Sequence, residues 1–145
     1  MSGTEERQAG ALADVTRGLA RLHTEYYGKG PTKARTYMVN DTMVCFLKDG
    51  FTTVEETLIA DGNAEAVEDI RRSFQAAMEE RFRDVVEEAT GRKVLAYMSQ
   101  IHTGPDMAVE LFVLEPSAQE VVGEHEEELA GEDRELSGQT ESALR

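Results

Sequence analysis

The sequence predicts an α+β domain of order α-β-β-α-α-β-β, with a four-stranded, mostly antiparallel sheet packed against three helices. Two patterns carry this prediction. Apolar residues recur at helical three-and-four spacing in separate segments, and short β-rich runs come in pairs joined by turn residues. Size agrees: 145 residues, 40% hydrophobic and 30% charged, suit one domain with one core.

Residues 1–8 are polar and are expected to fray. Leu12, Val15, Leu19, Leu22 and Tyr26 then form a narrow apolar stripe, which predicts a first helix stopped by Gly28 and Gly30-Pro31. Ala34–Val39 and Thr42–Leu47 read as a hairpin turned by Asn40-Asp41, residue types that tolerate positive φ. The second of these strands is apolar on both faces, so it is expected to lie centrally or to be covered on both sides. Thr53-Val54-Glu55-Glu56 reads as a capping box with Thr53 at the cap, opening a short helix to Ala60.

A long helix follows, capped by Asn63 and ended by Thr90-Gly91. Its expected buried stripe is Val67, Ile70, Phe74, Met78, Phe82, Val85 and Ala89. Glu79–Arg83 and Arg83–Glu87 are favourable pairs on what reads as its solvated face. Val94–Ile101 and Met107–Leu114 form a second hairpin whose turn, Thr103–Asp106, is expected to be longer than the first. In the last strand Val109, Leu111 and Val113 share one face, and Glu110 looks the other way with Ala108, Phe112 and Leu114. Tyr37-Met38 and Tyr97-Met98 suggest a loose echo between the two halves. The domain is thus placed at 9–116, with 117–145 as an acidic segment expected to be disordered.

The charge is uneven. Of a net −14, half falls after Pro116, where nine acids face two bases. Such a balance argues against nucleic acid and anionic membranes, which need clustered Lys and Arg. Cys45 has no second cysteine to pair with and reads as a small buried hydrophobe. No apolar run reaches the ~20 residues of a membrane span, and no basic-then-apolar leader pattern opens the chain. A cytoplasmic protein is expected.

One stretch, Tyr26 to Arg35, turns basic, glycine-rich and aromatic within ten residues. Lys29, Gly30, Lys33 and Arg35 could hold a phosphate, carboxylate or bicarbonate-sized anion through backbone N–H groups and cations. The order Gly-Lys-Gly-Pro-Thr-Lys is not a Walker loop, and it follows a helix C-terminus, whose negative end by itself attracts lysines. His23, Tyr27, His102 and Asp106 are candidate polar partners of that loop. Two histidines and a carboxylate could in principle bind a metal, but no short ligand spacing supports it. Neither a metal nor a cofactor is assigned, and Cys45 and Ser99 lack the surroundings of a nucleophile.

Four segments together resemble one bacterial family. They are His23–Pro31, Val54–Leu58, Thr90–Val94, and His102–Asp106 running into Val109–Pro116. The family is the MpsC-like one, formerly a domain of unknown function. The resemblance implies a small soluble domain named for a component of a Na+-translocating, membrane-potential-generating system, whose transport belongs to membrane partners. It carries over no catalytic residue. The expected function is a non-enzymatic accessory or regulatory domain that works through protein contacts, with a membrane transporter component and a second copy as candidate partners. Exposed sheet edges are the expected route to a homodimer. The alternative is a small enzyme acting on a phosphorylated or carboxylated substrate at Gly28–Arg35, with His23 or His102 as acid–base.

Overall fold

A computed structural model describes residues 3–117 and 127–129 of the chain. The elements run α1 (Gly3–Tyr27), β1 (Lys33–Val39), β2 (Thr42–Lys48), α2 (Thr53–Ala60), α3 (Ala64–Thr90), β3 (Val94–Thr103) and β4 (Asp106–Leu114). This is the expected order and class. The four strands form one antiparallel sheet of order β1-β2-β4-β3, so the apolar β2 does lie centrally. The expectation for 117–145 falls almost wholly outside the described residues.

The helices cover one face of the sheet. From it Met43, Cys45 and Leu47 of β2 and Phe112 and Leu114 of β4 meet Val15 and Leu19 of α1 and Phe82 and Val86 of α3. α1 and α3 approach closely at Gly18, where a Cβ would stand 2.6 Å from a Val85 methyl. Any side chain there would drive the helices apart. Thr16 Oγ1 and Thr36 Oγ1, 2.6 Å apart, tie α1 to β1.

Several boundaries differ from the sequence reading. α1 begins at Gly3, inside the stretch expected to fray. The capping box sits one residue earlier, with Thr52 at the cap and Glu55 returning the bond. Both registers satisfy the motif, and the observed one lets Glu55 also reach Arg71, as described below. Asn63 precedes α3 but makes no side-chain cap bond.

On α3 the buried line is Val67, Arg71, Met78, Phe82 and Val86. Ile70 instead is 54% exposed. Its solvated face is not idle: Arg83 donates to Glu79 and to the Val94 carbonyl, while Glu87 accepts the Val94 N–H. The expected Arg83–Glu87 pair therefore gives way to two bonds that anchor β3.

The second turn is as tight as the first. Gly104 and Pro105 alone separate β3 from β4, just as Asn40 and Asp41 separate β1 from β2. The echo between halves does not extend to side-chain direction. Tyr37 points away from the helices, whereas Tyr97 points toward them, its ring tilted between Phe82 and Phe112. Met98, on the opposite face to Tyr97, is 53% exposed.

Candidate functional site

The Gly28–Arg35 loop is held to the α2 entry, and its bases part company. Gly28 takes φ 80° and its N–H closes α1 on the Thr24 carbonyl. Gly30 passes so near Thr24 Oγ1 that a Cβ would stand 2.0 Å from it. Lys29 turns toward α2, where its ammonium donates to the Phe51 carbonyl at 2.7 Å and to Glu56 at 3.4 Å. Thr32 bonds the Lys48 carbonyl through its N–H and Asp49 through its hydroxyl.

Beyond Thr32 the chain is strand, and alternation sends Lys33 and Arg35 to the sheet face opposite the helices. There Lys33 lies directly across from Lys48. Neither ammonium has a hydrogen-bond or ion-pair partner among the described residues. Arg35 is two positions along the same face, its guanidinium 3.4 Å from the Tyr37 hydroxyl. The structure thus brings Lys33 and Arg35 together with Lys48, which the sequence reading did not name. It puts Lys29 and Gly30 elsewhere.

The other candidate partners are also dispersed. Asp106 opens β4, and its carboxylate accepts the Gly50 and Phe51 N–H groups at 3.3 and 2.9 Å. It thereby pins the α2 entry to the β3–β4 turn. His102 is exposed and bonds the Pro105 carbonyl. His23 is buried, stacked on Phe82 with ring centroids 5.4 Å apart. Among the described residues no group of three or more His, Cys, Asp or Glu is placed to hold a metal ion.

Tyr27 belongs to a buried clamp that sequence reading missed. Arg71 lies over its ring at 3.7 Å and donates to both oxygens of Glu55 at 2.5 Å and to the Gly50 carbonyl at 3.1 Å. Burial alone would push the Glu55 carboxyl up, but the Arg71 bonds and the Thr52 N–H outweigh it and hold it below the usual range. Burial pushes the Tyr27 hydroxyl up to about 12, against the opposing effect of Arg71. The available signal was a lone arginine one turn after Val67, on an otherwise apolar line.

A second buried cluster lies under the sheet. Glu110 of β4 is fully buried. Tyr97 donates to its Oε2 at 2.5 Å, and burial followed by that carboxylate pushes the Tyr97 hydroxyl well up. His23 Nδ1 donates to the Leu19 carbonyl, which turns Nε2 toward Glu110 Oε1 at 3.7 Å. Glu110 Oε1 and Ser99 Oγ, on residues directly opposite in the ladder, lack hydrogen-bond partners among the described residues. A carboxylate among Ala108, Phe112 and Leu114 was the signal here. This cluster ties α1 to the sheet, far from the loop bases in chemistry as well as in exposure.

An open cavity of about 740 Å³ lies at the opposite strand end, between the start of α1, the Asn40-Asp41 turn and the end of α3. Arg92 spans its rim, paired with Asp41 at 2.5 Å and bonded to the Glu115 carbonyl. The Asp41 carboxyl is held below its usual range by Arg92 first and by the Ser117 N–H second. Of the other charges lining it, Asp14 pairs with Arg17 and Arg7 donates to the Thr4 hydroxyl.

A family model described as "Na+-translocating membrane potential-generating system (MpsC)" matches residues 11–116. No curated protein and no solved structure matches the chain.

Proposed function

The chain belongs to the MpsC family, and on that premise we propose that it is a non-catalytic accessory component of a Na+-translocating membrane potential-generating system. It joins its partners by contact, and its corner of Lys33, Arg35 and Lys48 binds an oxyanion or a carboxylate.

The observation that carries this reading is the Lys33–Lys48 pair. Like charges directly opposite in a ladder weaken the sheet, and here a third cation, Arg35, stands on the same face. In a chain of net charge −14, acids to neutralise them are plentiful, yet among the described residues none pairs with either lysine. A local rule broken without a gain in folding is the mark of a binding position. The distant acids are screened beyond about 8 Å at physiological salt, so the corner stays attractive to anions.

The accessory role has separate support. An enzyme acting at the loop would need a histidine beside its bases, but His23 is stacked on Phe82 and His102 bonds Pro105. Lys29 and Asp106 are bound within the chain. Among the described residues no helix is long and apolar enough to cross a membrane, so ion movement falls to partners.

Amide NMR of the full chain titrated with phosphate and with bicarbonate tests the free-anion arm. Pull-down from native membranes tests the partner-carboxylate arm, with Lys33→Glu/Lys48→Glu as comparison in both. Shifts confined to Lys33, Arg35 and Lys48, or recovery of a membrane subunit that the variant fails to recover, are the expected results. Identical behaviour of wild type and variant in both arms would sink the reading.

A further inference from the structure

The sheet has helices on one side only. Away from them point, among others, Val39 of β1, Val44 and Phe46 of β2, Leu111 and Val113 of β4 and Met98 of β3. Val39 is 60% exposed and Met98 53%. This apolar surface is continuous across all four strands. No acid stands at any outward position of any strand, in a chain that carries 29 of them.

We propose that this open face is the contact between two copies of the chain, packed sheet on sheet. A sheet apolar on both sides is stable when both sides are covered, and a second copy supplies an inner face of the same apolar chemistry about 10 Å away. Two chains this acidic repel each other over most of their surface, and this face is where they can meet without opposing carboxylates. The bases sit at one end of β1 and β2. A two-fold axis across the strands therefore sets Lys33 over the partner copy's apolar end, and an axis along them sets it over neutral positions of β3.

The area also fits. Seven-residue strands at about 3.3 Å per residue, four abreast at about 4.8 Å, give a face of roughly 23 by 19 Å, about 400 Å² in projection. Side-chain relief raises the accessible area above that, toward the roughly 800 Å² per partner of a standard interface. Interfaces at this low end are those of micromolar complexes. The contact is face to face, unlike the edge pairing that the sequence suggests. It stands independently of the oxyanion reading, since Lys33 and Lys48 remain at its rim.

Light scattering after size exclusion, over about 1 μM to 1 mM, reads the outcome. Wild type is expected to pass from 16.1 kDa to twice that mass. Val39→Glu/Met98→Glu, at two of the most exposed apolar positions, is expected to weaken association at least ~100-fold with an unchanged circular-dichroism spectrum. Lys33→Glu/Lys48→Glu is expected to dimerise still. Methionine methyl NMR needs no substitution: Met98 should shift with concentration and buried Met43 should not. A wild type that stays monomeric across the range, with Met98 fixed, overturns the proposal and leaves the face to another occupant. A dimer that survives Val39→Glu/Met98→Glu overturns it too, in favour of edge pairing.

Discussion

Replacing Arg71 by methionine should cost the domain about 3–5 kcal/mol, the usual penalty for leaving a buried partner charge uncompensated. Arg71 and Glu55 are both buried. The substitution removes two short bonds to Glu55 and one to the Gly50 carbonyl. It also removes a guanidinium stacked 3.7 Å above Tyr27, a contact worth roughly 0.5–2 kcal/mol. Methionine fills much of the same volume, so packing loss is the smaller part. Glu55→Gln should cost less, because the amide oxygen can still accept from Thr52 N–H, but it strands the Arg71 cation.

The double variant decides the question. With both charges gone, neither is stranded, so its cost should fall short of the sum by about 2–3 kcal/mol. Urea unfolding of the four proteins measures this directly. pH supplies a second reading. Glu55 is held below its unfolded value of about 4.3. The stability it contributes is therefore complete above that pH and is lost as pH falls through the folded value. The Arg71→Met penalty should then be full at pH 7 and shrink toward pH 3. Costs that add to within about 0.5 kcal/mol, or a penalty unchanged with pH, would refute the clamp.

Three further outcomes follow from the geometry. Thr52→Ala should lose about 1 kcal/mol and Thr53→Ala only a few tenths, since Thr52 makes the cap bond; equal losses would restore the other register. Phe82→Ala should cost about 3–5 kcal/mol and Ile70→Ala under about 0.5, measured by thermal or urea unfolding. Burial pushes the Cys45 thiol up to about 11. An aromatic disulfide reagent at pH 8 should therefore label the native chain at least ~100-fold more slowly than the unfolded one, and comparable rates would place Cys45 outside the core.

The elements were legible because each has a period of its own and clear punctuation. Asn40-Asp41 announces the first hairpin, and the two-faced apolar run of β2 announces its central place. What escaped depends on choices between equivalent local patterns. Thr52 and Thr53 both satisfy a capping box, and only Arg71, sixteen residues past Glu55, selects between them. Ile70 and Arg71 are neighbours on α3, and hydrophobicity pointed to the isoleucine. The helix rotates the arginine inward because Glu55 and Tyr27 wait there.

The basic corner needed register. In sequence Lys33 belongs with Lys29, but across the ladder it belongs with Lys48. Asp106 reads as a loop residue in sequence, and in the fold its carboxylate holds the Gly50 and Phe51 N–H groups. The Tyr97 and Met98 positions show a further limit: a repeated dipeptide does not repeat a strand's facing.

The β2–β4 seam has a consequence for how the chain assembles. Each hairpin closes over a two-residue turn, and the β1–β2 hairpin can form in about 1–10 μs. Joining them must bring Cys45 opposite Glu110, closing a loop of about 60 residues at roughly 3–4 kcal/mol of chain entropy. The same step strips water from the Glu110 carboxylate. The seam carries the long-range closure, so substitutions at Cys45 and Glu110 are expected to act on the folding rate. Those at the Asn40-Asp41 turn, a local closure, are expected to slow folding only by thinning the population of preformed hairpins.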